Sequence, residues 1–328
     1  MIEFFGLTIY PYGLAVAGAA VVALLLAGWN FRKAKLNVNL LSWFAPLAIV
    51  LGVLGARVGY CLAAWDFVIQ DGLGFVLEFT RGGFMLYGAL VGAAAALIIA
   101  CRICRVCPAC AADALAVPGM VMIALCRLAE SLVEQGYGWG IADWFAADSG
   151  MSLFTWEDPS ILYRLPFGVA DFYGGYKWAV FVFEALVAIG IAIALTRLAV
   201  KRSGGRAVMM VLLYAATQVL CESLRQDSVL RWGFVRVNQV VGAVLIAGVL
   251  VLCFCLTQNR DWRKLVGSFA LMLLGMGVVM AMEFALEKKI SAIEFMPMDV
   301  CYLLMAGGCG LMIGCIVLHW RRAFGKDM

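Results

Sequence analysis

The sequence predicts an all-α, polytopic integral membrane bundle with about nine transmembrane helices. Composition is the first reason: 65% of the 328 residues are hydrophobic and 14% are charged, where a soluble domain is about a quarter charged. Length is the second. Apolar windows able to cross a hydrocarbon core of roughly 30 Å recur from end to end, and backbone inside lipid must bond to itself, which makes such windows helices. The third is the gathering of Lys and Arg in alternate loops.

The windows fall near 11–31, 40–65, 84–102, 110–133, 176–199, 206–224, 236–256, 264–284 and 300–319. The first follows Met1-Ile2-Glu3, with no basic n-region and no small-residue cleavage pattern, so it is expected to stay as a helix. Arg32, Lys33 and Lys35 follow it; Arg102 and Arg105 follow the third window; Arg197, Lys201, Arg202 and Arg206 follow the fifth. Arg260, Arg263 and Lys264, then Arg321, Arg322 and Lys326, continue the alternation. The opposite loops carry Asp66, Asp71, Glu78, Asp143, Asp148, Glu157, Asp158, Glu287 and Glu294, with Arg225, Arg231 and Arg236 against the trend. Positive-inside logic then puts the N-terminus outside and the C-terminus in the cytoplasm. The net charge of +4 reports this topology, and nucleic acid is not an expected partner.

Glycines punctuate the second and third windows, from Gly55 to Gly59 and from Gly82 and Gly83 to Gly92, and predict close helix packing. Between the third and fourth, Cys101, Cys104, Cys107 and Cys110 form C-x2-C-x2-C-x2-C. Four thiols so spaced are a weak candidate for zinc or an iron–sulfur cluster. Small apolar residues at a helix end are the other reading. The only histidine, His319, lies at the far end of the last window, which excludes a histidine base or histidine-ligated metal on the outer side.

A charge near the bilayer centre costs at least about 2.5–3.5 kcal/mol and needs a partner or a task. Arg57, Asp113, Arg127, Glu130, Glu184, Glu222 and Arg225 all stand in or at the ends of windows. Arg127, Glu130 and Glu134 fall at i, i+3 and i+7, on one helical face; Gln218, Glu222 and Arg225 repeat the arrangement. Such arginines either stitch helices together or receive a phosphate headgroup, whose oxygens match the guanidinium fork. Residues 134–176 form a long outward loop carrying Trp139, Trp144, Trp156, Tyr163, Tyr173 and Tyr176, suited to an interfacial belt or to a cover over a lateral opening.

Taken in order, the motifs resemble the prolipoprotein diacylglyceryl transferases of bacterial inner membranes. Tyr12-Gly13 is similar to that family's membrane-embedded Tyr-Gly pair, and Gly55 to Tyr60 to its G-x-R-x-G-Y element. Gly82 to Gly92 resembles its third-helix motif, and Asp113 to Pro118 its D-x-x-A-P step. Cys126 to Gly138 stands where the family has G-R-x-G-N-F-x-N-x-E-x-x-G, with Arg127 and Gly138 matching, and Glu222 to Gln226 resembles E-F-F-R-Q, followed by Gln239. There are departures: Tyr87 replaces the family's histidine, Glu130 and Val133 its two asparagines, Gln135 its glutamate, and Gln218 an arginine.

The resemblance implies a seven-helix transferase unit over 1–260 with an extracytoplasmic loop at 134–176, and two added helices over 261–328. It implies diacylglyceryl transfer from phosphatidylglycerol to the lipobox cysteine thiol of a prolipoprotein, with release of glycerol phosphate and no cofactor. Arg127 would hold the phosphate with Arg57 or Arg225 as second cation, and Tyr12, Gly82, Gly83, Gly138, Gln218 and Glu222 would complete the phospholipid site. The base is either Tyr87, at the histidine position, or Glu130, one turn from Arg127. Two rival functions stay open: a phospholipid-using transferase with another acceptor, and a non-catalytic lipid-binding or transport protein.

Overall fold

The computed structural model describes residues 2–4, 7–79, 82–227, 230–232, 235–257, 261–293 and 295–325. Met1, Arg260, Glu294 and Lys326, used above for the N-terminus and the orientation, lie outside the described residues. Nine described helices are long and apolar enough to cross a membrane, and the chain is a multi-pass membrane protein. They are α1 (Pro11–Lys33), α2 (Asn39–Ala63), α4 (Leu86–Cys104), α5 (Pro108–Ala129), α7 (Val180–Arg197), α8 (Gly205–Leu224), α9 (Val237–Leu256), α10 (Trp262–Leu286) and α11 (Met298–Phe324). Two short helices, α3 (Trp65–Asp71) and α6 (Ile141–Phe145), lie between them, and an antiparallel strand pair, β1 (Ile2–Phe4) and β2 (Leu7–Ile9), precedes α1. The expected windows and these helices differ by a few residues at most, because lipid-length hydrophobicity fixes a span more tightly than propensity fixes a soluble helix.

The glycine pattern does what its spacing predicts. α2 packs chiefly on α4, and a Cβ added at Gly59 would lie 3.1 Å from the Gly88 Cα. At Gly55 and Gly92 it would run into the carbonyl oxygens of Gly88 and Leu51. Backbones this close leave dispersion to hold the pair, the force available where no hydrophobic effect acts between helices.

A second and larger body contains α5 and α7–α11. Met120, Ala188, Leu212, Leu250, Met272 and Met312 belong to one buried apolar cluster that runs through all six helices. Asp113 of α5 ties two of them from the other end: its carboxylate accepts from the Gly204 and Ala207 N–H groups at the start of α8, at 2.7 and 3.0 Å. There it satisfies donors that no helical carbonyl reaches. At the same end His319 of α11 meets Ser268 of α10 at 2.9 Å.

The segment 134–176 folds into more than a loop. β3 (Tyr137–Gly140), β4 (Gly168–Ala170) and β5 (Tyr176–Ala179) make a small antiparallel sheet in the order β3-β5-β4. Its aromatic side chains pack on one another and on the bundle: Tyr163 stacks on Tyr176 at 4.5 Å, and Trp144 on Tyr302 of α11 at 5.7 Å. The sheet reaches the bundle through the Gln226 N–H, which donates to the Tyr137 carbonyl at 2.9 Å, and the Phe181 N–H, which donates to Gly136 at 3.0 Å.

Candidate functional site

The ends of α5 and α8 and the start of α7 meet at one face of the bundle, and each delivers a charge. α5 stops at Ala129 and a 3-10 turn carries Glu130 to Val133; Glu134 then takes a left-handed conformation. Glu134 therefore leaves the helical face on which its i+7 spacing put it, and Arg127 and Glu130 keep theirs. Arg225 follows the last turn of α8 in extended conformation, which also turns it off the helical face. Glu184 stands in the second turn of α7.

These residues close into a ring. Arg127 Nη1 meets Glu130 Oε1 at 2.6 Å, and Arg225 Nη2 meets the other oxygen of the same carboxylate at 3.0 Å. Glu184 Oε2 lies 3.1 Å from Arg225 Nη1 and 3.5 Å from Arg127 Nε. Glu184 is fully buried, and the other three side chains are 10–12% exposed. Arg127 Nη2 donates to Gln218 Oε1 at 2.9 Å and to the Tyr214 hydroxyl at 3.4 Å. Gln218, the departure from the family arginine, thus holds Arg127 as an acceptor and adds no second cation.

On the side away from the bundle Asp227 grips Arg225 with both oxygens, at 3.1 and 3.0 Å, and accepts from the Gly136 N–H at 2.6 Å. Burial alone would raise its carboxyl; the guanidinium and the backbone donor outweigh this and hold it below the usual carboxylate range. A pocket of about 250 Å³ opens there, lined by Glu134, Tyr137, Asp171, Lys177, Gln226 and Asp227. On the inward side an apolar cavity of about 240 Å³ runs between α4, α5, α8 and α9, lined by Leu90, Met120, Met210 and Leu245 among others, with Tyr87 and Tyr214 at its walls. Tyr214 joins the cavity to the ring through Arg127.

The remaining sequence candidates divide. α1 packs on α5 and on the Glu130–Val133 turn, which brings Tyr12 within electrostatic reach of Glu130, Arg127 and Arg225. Gly138 is buried where a Cβ would lie 3.1 Å from the Leu224 carbonyl, so it lets β3 press on the end of α8. Glu222 is buried in the last turn of α8. The buried Tyr87 hydroxyl finds no hydrogen-bond partner among the described residues. Arg57 stands apart from the ring. Its guanidinium donates to the carbonyls of Phe75, Val76, Gly82 and Gly83 and lies over the Phe75 ring at 4.6 Å. Gly82 and Gly83 both have positive φ, and a Cβ on Gly83 would strike Tyr60 and Arg57. Arg57, Gly82 and Gly83 form one folded clamp beside α2.

Two features were not placed by the sequence. Glu184 showed as a lone membrane carboxylate. Arg236 and Glu283, a buried pair at 2.9 Å, gave no motif at all. Cys101, Cys104, Cys107 and Cys110 stay at the opposite end of α4 and α5, where Cys110 Sγ donates to Ser203 Oγ at 3.2 Å. Among the described residues no three or more His, Cys, Asp or Glu side chains are arranged to hold a metal ion.

Comparison with known proteins matches residues 1–255 to the family model described as prolipoprotein diacylglyceryl transferase. The chain belongs to this family. Proteins named phosphatidylglycerol–prolipoprotein diacylglyceryl transferase resemble it along most of their length. That of Listeria innocua is 30% identical over 243 residues, 72% of this chain and 81% of the relative. That of Listeria welshimeri is 31% identical over 251 residues, 75% and 84%. That of Symbiobacterium thermophilum is 26% identical over 264 residues, 78% and 91%. The family match closes at the end of α9, with α10 and α11 beyond it.

Proposed function

We propose that this transferase moves the diacylglyceryl group of phosphatidylglycerol to the lipobox cysteine thiol of a prolipoprotein at the ring of Arg127, Glu130, Glu184 and Arg225. The observation that carries this reading is one carboxylate, Glu130, spanning two guanidiniums with its two oxygens, above an apolar cavity. Two oxygens of a phosphodiester make the same bridge. Family membership supplies the lipid and the acceptor class.

The headgroup phosphate takes the place of Glu130 between Arg127 and Arg225, with Tyr12 beside it and acyl chain in the cavity below. Glu184 stays behind the guanidiniums and keeps them aimed. The displaced Glu130 carboxylate takes the proton of the acceptor thiol, a group largely protonated at neutral pH. The resulting thiolate attacks the glyceryl carbon that bears the phosphate. A C–S bond forms as the C–O bond breaks, and the electron pair stays on the phosphate oxygen, which leaves as glycerol phosphate. The two fixed cations meet charge where it builds, and do so in a site largely closed to water. Of the two base candidates Glu130 is preferred. A phenol of ordinary pKa about 10 needs an adjacent cation to serve as a base, and the Tyr87 hydroxyl lies at the apolar cavity without a hydrogen bond among the described residues.

In this reading the protein lies in the bacterial inner membrane with its N-terminus and the ring on the outer side and its C-terminus in the cytoplasm. Residues 1–260 are the transferase unit and 261–328 an added pair of helices. The test uses purified protein in phosphatidylglycerol vesicles with a lipobox peptide. A diacylglyceryl mass gain with glycerol phosphate release, lost in Arg127→Ala, supports the reading. No gain where a seven-helix relative works overturns it.

A further inference from the structure

The two helices beyond the family match reach into the back of the site. Arg236 precedes α9, and its Nη1 donates to the carbonyls of Glu222 and Arg225, at 2.5 and 2.8 Å. Carbonyls at a helix C-terminus have no helical donor, so a cation there both satisfies them and meets the negative end of the helix dipole. Arg236 is in turn held by Glu283 of α10, Nε to Oε1, at 2.9 Å. The other oxygen of Glu283 accepts from Ser223 Oγ, in the same turn of α8, at 2.6 Å. Tyr302 of α11 donates its hydroxyl to the Ser223 carbonyl at 3.2 Å. The last turn of α8 is thus fastened by Arg236, just before α9, and by groups from α10 and α11, and the next residue is Arg225.

We propose that Glu283 is a positioning residue for the transfer: through Arg236 and Ser223 it sets the end of α8, and so fixes the Arg225 guanidinium opposite Arg127. This rests on the reading of Arg127 and Arg225 as the phosphate-binding pair. Glu283 does not touch the ring; it acts on it through the backbone of residues 222–225. Arg225 has no helix of its own to hold it, since it leaves α8 in extended conformation. Its direction is therefore set by the pinned carbonyls of Glu222, Ser223 and Arg225 itself and by its carboxylate partners.

The experiment compares full-length wild type, Glu283→Ala, Glu283→Gln and Met312→Ala, a control buried in the apolar core of α11 away from the polar network. Each is measured for kcat and acceptor KM in phosphatidylglycerol vesicles, for thermal unfolding in detergent, and for equilibrium binding of phosphatidylglycerol in nanodiscs. Glu283→Ala is expected to lower kcat by about tenfold to a hundredfold and weaken phosphatidylglycerol binding, with acceptor KM unchanged, as a displaced positioning group does. Glu283→Gln falls between the two, since the amide oxygen still accepts from Ser223. Met312→Ala is expected to lose stability and keep both kcat and lipid affinity. Wild-type kcat and affinity in Glu283→Ala, or an equal loss in Met312→Ala, overturns the proposal. If Glu283→Ala does not fold, Glu283→Gln carries the same comparison. If wild type itself transfers nothing, the transferase reading falls, and the lipid affinities alone decide the role of Glu283.

Discussion

In the proposed reading Glu130 bridges the two guanidiniums that the phosphate needs, and this makes its substitution informative. Glu130→Gln removes the charge that competes with a phosphate for Arg127 and Arg225, and also removes the base. Phosphatidylglycerol is therefore expected to bind more tightly while kcat falls by about a hundredfold, a loss ordinary for a missing general base; tighter binding with undiminished kcat would assign the proton to another group. Asp227 gives a pH prediction. Its folded pKa is depressed, so its stabilising link to Arg225 and Gly136 is complete above the unfolded value of about 3.9 and is lost as pH falls through the lower folded value. Asp227→Asn should flatten the acid limb of a detergent unfolding profile, and an unchanged limb would count against it. Arg127 and Glu130 were legible in sequence because their spacing of three is itself a contact on a helix. Glu184 was legible only as an expense without a purpose, since its partner Arg225 is 41 residues away. Arg57 matched its motif, yet two of its four carbonyl acceptors sit on a short 3-10 helix, Leu73–Leu77, and two on Gly82 and Gly83, and no periodicity announces that they meet.

At the level of elements, the α2–α4 pair is the strictest reading of sequence as shape. Gly92→Val drives a side chain into the Leu51 carbonyl, and overpacking of this kind costs about 1–3 kcal/mol. A fall in unfolding midpoint is expected for Gly92→Val and none for Gly18→Ala, which meets nothing within 4 Å; equal midpoints would remove the close contact as a source of stability. The spans were readable because bilayer thickness selects for length. The sheet of β3, β4 and β5 was not, because strands of three or four residues bounded by glycines are too short to show a period of two. What showed in 134–176 was its aromatic content: Trp144 packs on Tyr302 of the bundle and Tyr163 stacks on Tyr176, while Tyr173 stays exposed.

Across the whole molecule, orientation has a direct chemical test. Cys107 is exposed at the start of α5, and the backbone N–H of Cys110 holds its thiol below the ordinary range. A membrane-impermeant maleimide is expected to spare it in intact spheroplasts and to label it rapidly in inverted vesicles near neutral pH; labelling from outside would reverse the topology. The bundle's charge balance has a longer reach. Arg236 precedes α9 and its counter-charge, Glu283, comes 47 residues later from α10, past the end of the family match. Losing the later helices would leave a buried cation without its counter-charge, and losing Arg236 would leave a buried carboxylate without its own, each at about 3–5 kcal/mol. Neither half can be discarded first. Once such a pair is in place, a chain sheds α10 at that cost unless Arg236 changes in the same stroke, so the charge balance ties the eighth spanning helix to the seventh.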